Sequence, residues 1–144
     1  KKSLVYNINA NHYTYSKGGY FEISTCLEEK NVESAVSIIL NEIEKLKTTK
    51  ITKKELRKCL HLIKGTTQIA SEDLSTIAEF YAYQLLYAKK IINYNQVFKQ
   101  FSKITPSDIQ TVANQYFVMN HVHIFIYGKI PSSDLQKIRT RIGI

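Results

Sequence analysis

The hydrophobic period of this chain changes near residue 30, and that change restricts the folds open to it. From Leu4 to Tyr15, the series Leu4, Tyr6, Ile8, Ala10, His12 alternates with Val5, Asn7, Asn9, Asn11. Period two predicts a half-buried strand. Ser16-Lys17-Gly18-Gly19 then signals a turn, its glycines suited to the positive φ of hairpin loops. Tyr20 to Leu27, rich in aromatic and β-branched residues, reads as the returning strand. Glycines that cradle phosphate stand at a helix N-terminus; these lead into a strand.

Beyond Asn31, a plausible N-cap, the spacing becomes helical: Val32, Ala35, Val36, Ile39, Leu40, Ile43 and Leu46 form one stripe. Thr52-Lys53-Lys54-Glu55 is a capping box, opening a second helix along Leu56, Cys59, Leu60 and Ile63. A third stripe, Leu74, Ile77, Ala78, Tyr81, Leu85 and Ala88, follows "GTTQIASEDLS". Residues 94–104 make a short helix. Thr105-Pro106-Ser107-Asp108 starts another, with Pro at the first helical position and Ile109, Val112, Ala113, Tyr116 and Phe117 on its apolar face. "HVHIFIYG" is apolar on both faces and predicts an inner strand beside the hairpin. A last helix runs from about Ser133 to Ile142. The expectation is an α+β fold, an antiparallel sheet of hairpin plus later strand covered by helices. Three strands are few for two apolar faces, so a sheet edge is expected to be completed by further chain or a second copy.

Charge and cysteine content narrow the function classes. The formal net charge is +8, from 17 Lys and 3 Arg against 12 acidic residues. Nucleic-acid readers favour Arg forks and clustered charge. Here the lysines are scattered apart from Lys45, Lys47, Lys50, Lys53 and Lys54 around one interhelical turn, which reads as a solvated basic surface rather than a nucleic-acid site. No apolar run is long enough for a membrane span. Cys26 and Cys59, both on apolar faces, read as buried free thiols in a reducing intracellular compartment.

Complete catalytic chemistry is missing from these residues. His121 and His123, two apart on the expected strand, would share a face, but a zinc site needs further ligands. His12 lies on the first strand, and His61 in a helix without a carboxylate four residues away. No His-x-x-Glu-His or His-Glu-x-x-His set occurs, and no Gly-x-Ser-x-Gly elbow.

The order "LVYNI…GGYFEI", "NVESAVSIILNEIEKL", "ITKKELRKCLHLIKG", "KITPSDIQTVANQYF", "IFIYG" and "GKIPSSDLQKIRTRI" resembles the pitrilysin/insulinase family of zinc peptidases, which includes mitochondrial processing peptidase and its non-catalytic core-protein relatives. The likeness extends over nearly all of residues 1–144, as the second half of a C-terminal domain in a longer chain. It implies a half-domain of a clam shell that closes on an unfolded peptide, with zinc held upstream and none bound by this segment. An upstream half-domain or second subunit is the implied partner. The family's C-terminal domain contributes an Arg–Tyr pair, seven apart, that holds the substrate backbone. Its tyrosine corresponds to Tyr6, preceded here by Ser3-Leu4-Val5 instead of Gly-Leu-Ala, and its arginine falls before Lys1. Two readings follow: a substrate-binding part of a zinc metalloendopeptidase, or a non-catalytic structural homologue. An independent basic binding module is a weaker third.

Overall fold

Two strands pair in register because their apolar and polar residues alternate in step. In the computed structural model, which describes residues 4–88 and 90–143, β1 (Asn7–Tyr15) and β2 (Gly18–Cys26) run antiparallel from Asn7 opposite Cys26 to Tyr15 opposite Gly18. Ser3 and the two lysines before it, the first position of the tyrosine motif and the chain opening, lie outside the described residues. Asn7, Asn9, Asn11, Tyr13 and Tyr15 share one face with Glu22 and Tyr20. Ile8, Ala10 and His12 share the other with Ile23 and Phe21.

Strand β1 begins at Asn7 rather than Leu4, and the turn is Ser16-Lys17 alone. Neither Gly18 nor Gly19 has positive φ, and both belong to β2. Gly19 serves a different need: a Cβ there would collide with the Tyr13 carbonyl oxygen. That oxygen is main chain and cannot swing aside as a flexible side chain would. Gly19→Ala is therefore expected to destabilise the protein by about 1–3 kcal/mol, read from denaturant melts of the full-length protein. An unchanged midpoint would show that the hairpin tolerates the Cβ.

Among the described residues six helices follow: α1 (Val32–Thr48), α2 (Lys53–Ala70), α3 (Leu74–Tyr87), α4 (Tyr94–Phe101), α5 (Pro106–Tyr116) and α6 (Ser132–Ile142). Local chemistry sets their starts. The Thr52 hydroxyl accepts from the Glu55 amide while the Glu55 carboxylate accepts from the Thr52 amide, closing the expected capping box. Asn93 and Gln96 do the same for α4, and Asp73 caps α3. At α5 the Asp108 carboxylate accepts from the Thr105 amide ahead of Pro106. These bonds to Thr52, Thr76 and Thr105 hold the carboxyls of Glu55, Asp73 and Asp108 below their ordinary values. Gly143 ends α6 in the left-handed region, where a side chain would be strained.

The chain divides into two compact units, one from residues up to Thr48 and from Ala113 onward, the other Thr49–Val112. In the first, α6 packs on α1, with Val32, Ala35, Ala113 and Ile138 buried. The Arg141 guanidinium donates to Asn41 Oδ1 at 2.8 Å, and the Asn114 amide donates to the Lys47 carbonyl at 3.0 Å. Phe21 meets Phe117 at 5.2 Å between ring centroids. In the second, α2 and α4 pack together and Phe80 stacks on Tyr94 at 4.2 Å. Gln84 exchanges two hydrogen bonds with the main chain of Ile92, closing the loop after α3. The half-buried side of α3 carries Ile77, Phe80, Tyr81 and Gln84, whereas Leu74 and Leu85 of the expected stripe are exposed.

The fold is α+β, as expected, but the later strand is not present among the described residues. The sheet has two strands, Met119–His121 is a 3-10 turn, and 122–128 has no strand partner. Phe125 is 92% exposed. Alternating β-branched and aromatic residues make a segment able to pair, but only ladder bonds to a neighbour make it a strand. His121 and His123 thus lack the strand that was to align them. Cys26 and Cys59 are free, as expected, yet exposed rather than buried: Cys26 stands on the polar hairpin face, and Cys59 lies at the edge of the packed side of α2.

Candidate functional site

Tyr6 stands just before β1, where the ladder continues by one bond: its amide donates to the Cys26 carbonyl at 2.8 Å. Two residues earlier, the Leu4 carbonyl accepts from the Asn31 side-chain amide at 3.1 Å. One residue later, Asn7 Oδ1 accepts from the Cys26 amide and the Asn7 carbonyl accepts from the Thr25 hydroxyl, at 3.0 and 2.7 Å. The backbone on both sides of Tyr6 is therefore tied to 25–31, while the ring itself is 71% exposed. A phenol on a fixed backbone can meet a ligand at little ordering cost.

The phenol is not alone. Its hydroxyl donates to Glu28 Oε1 over a long 3.4 Å, and Glu28 Oε2 pairs with the Lys30 ammonium at 2.5 Å. Lys30, through that bond and its charge, holds the Glu28 carboxyl below the usual range; Glu28 in turn raises Lys30. The three groups are solvent-exposed, so the pair orients side chains more than it stabilises the fold. Glu28 and Lys30 were not found from the sequence. Nothing in the local pattern brings residue 28 to residue 6; the hairpin register does.

The remaining hairpin tyrosines pack on one another. Tyr13 stacks on Tyr20 at 4.7 Å and Tyr15 lies 6.3 Å from Tyr20. A hydrogen bond with Tyr15 raises the Tyr20 phenol above its ordinary value. A concavity of about 380 Å³ lies in the helical unit between Thr67, Gln68, Ser71, Tyr81, Asn93 and Tyr94.

Among the described residues no three His, Cys, Asp or Glu side chains gather where they could hold a metal ion. The described residues therefore do not fit a zinc centre.

Residues 1–62 match a family model described as the Peptidase M16 inactive domain. That stretch contains the hairpin, Tyr6, Glu28, Lys30, α1 and the start of α2. With the α+β fold, the match supports a pitrilysin-like (M16) C-terminal domain of the non-catalytic kind. Among curated proteins, the chain is similar to mitochondrial-processing peptidase subunit alpha-2 of Dictyostelium discoideum, 27% identical over 113 residues. The alignment covers 78% of this chain and 25% of that relative, so the chain spans about a quarter of the relative's length. No helix among the described residues is long and apolar enough to cross a membrane.

Proposed function

We propose that this chain is the non-zinc-binding C-terminal part of a zinc metalloendopeptidase, in which Tyr6 helps hold an unfolded peptide as the domains close. The observation that carries the reading is the position of Tyr6: within the matched stretch, with a tethered backbone and an open phenol. Among the described residues its hydroxyl is held by a long bond to Glu28, which a peptide carbonyl can replace. As charge develops on that carbonyl oxygen, the phenol is a donor that strengthens toward the transition state. In this reading zinc belongs to residues outside this segment, and an upstream half-domain or second subunit completes the clam shell.

A second reading, a non-catalytic structural homologue, draws on the description of the matched family as an inactive domain and on the relative's being named a subunit. Cleavage by the full-length protein separates the two. Purified full-length protein, with any partner subunit, is expected to cleave unfolded peptides, and a chelator should stop it. Its zinc content should not change when His121 and His123 are replaced by Ala, because those residues form no ligand group. Absence of chelator-sensitive cleavage would favour the structural reading. Zinc lost with the two histidines would overturn the assignment of the metal to other residues.

A further inference from the structure

The charge on this chain is less scattered than its sequence reads. Helix α2 carries Lys53, Lys54, Arg57, Lys58 and Lys64, all exposed. At 100° per residue these fall, with His61, within one broad band of the helix surface. None of the five takes part in an ion pair among the described residues, where the salt bridges involve Lys30, Lys45, Lys47 and Lys137. The one acidic residue of α2, Glu55, lies outside the band and is bound to Thr52. Along one side the band is bordered by Leu62 and Ile69, which are 68% and 72% exposed. The half-buried side, with Leu56 and Leu60, begins beyond its other edge.

We infer that this face of α2 docks on an anionic lipid surface, with the helix lying along the membrane plane. Charge complementarity selects an anionic partner, and the make-up of the band selects lipid. Lysine ammoniums on long stems reach a layer of headgroups without needing the forked geometry that base edges demand. Leu62 and Ile69 at the border can enter the boundary between headgroups and acyl chains, as apolar residues of interfacial helices do. The band holds no Phe, Tyr or Trp, so it lacks the stacking platforms of single-strand binders. It is also convex and evenly charged, unlike a groove shaped for one acidic peptide. The lysines of a juxtamembrane polybasic segment each raise the affinity for an anionic leaflet about fivefold.

The test uses the full-length protein, sedimented with vesicles of phosphatidylcholine and phosphatidylserine. Binding is expected to weaken steeply with added salt and to be absent on phosphatidylcholine alone. Lys54→Gln, Arg57→Gln and Lys58→Gln together should lower the partition coefficient about a hundredfold, with an unchanged circular dichroism spectrum. Leu62→Ser with Ile69→Ser should weaken it further. Lys99→Gln, Lys103→Gln and Lys129→Gln remove equal charge elsewhere and should leave binding nearly intact. Failure of the wild-type protein to sediment overturns the inference, as does equal loss in the two triple variants. So does binding of RNA or polyglutamate through the same three residues without vesicle binding.

Discussion

Replacing Tyr6 by Phe in the full-length protein is expected to lower kcat for peptide cleavage about a hundredfold, with little change in KM. Phe keeps the ring and leaves the main-chain bond from residue 6 to the Cys26 carbonyl untouched. What it removes is the hydroxyl, whose one described partner is Glu28 at 3.4 Å. A donor that acts mainly on developing charge shows its loss in kcat, whereas one that merely binds substrate shows it in KM. Tyr13→Phe provides the control, because Tyr13 lies within β1, stacked on Tyr20 and away from Glu28. Small and equal effects at the two positions would remove Tyr6 from the substrate site. Glu28→Gln sharpens the comparison: it weakens the competing acceptor without touching the phenol, so it should leave cleavage close to wild type.

The largest expected effect on stability belongs to Ile138→Ala, at about 2–4 kcal/mol. Ile138 is only 4% exposed, in a unit whose other buried hydrophobic residues are Val32, Ala35 and Ala113. Two of those are alanines, so little neighbouring side chain can collapse into the space left behind. Ile138→Val removes a single methylene and should cost about 0.5–1.5 kcal/mol. Denaturant melts of the full-length protein with a probe in this unit measure both. A loss below 1 kcal/mol for the Ala variant would mean that the α1–α6 contact rearranges.

What could be read in advance was whatever a few consecutive residues decide. The Thr52–Glu55 capping box, the Pro106 start of α5, the stripe along α1 and the end of the last helix at Ile142 are local, and all are present. The same local evidence misled at residues 122–128, because a strand is defined by a partner that no nearby residue specifies. On α3 the expected stripe followed hydrophobicity and chose Leu74 and Leu85. The packed face instead includes Gln84, a polar residue held by the Ile92 main chain eight positions away. At the candidate site Tyr6 was identified through family resemblance, since one strand tyrosine looks like another. Glu28 and Lys30 depended on hairpin register, and the α2 band on helical phase applied to charge rather than to hydrophobicity.

Exposure of both sulfurs gives this segment built-in attachment points for reporters. Cys26 and Cys59 are its two cysteines, and both are free. With Cys59→Ser, an alkylating dye has one destination within this segment, the residue whose main-chain carbonyl accepts the Tyr6 amide. A fluorophore there sits at the base of the hairpin, on the face shared with Asn7 and away from the packed side. Its emission would register peptide arriving beside residue 6 in real time, without any cleavage taking place. The complementary variant, Cys26→Ser, moves the dye to α2 at Cys59, on the side of that helix opposite the basic band, where it serves as the control that should not respond to peptide. One pair of thiols thereby supplies a reporter at the hairpin base and its reference in the same segment.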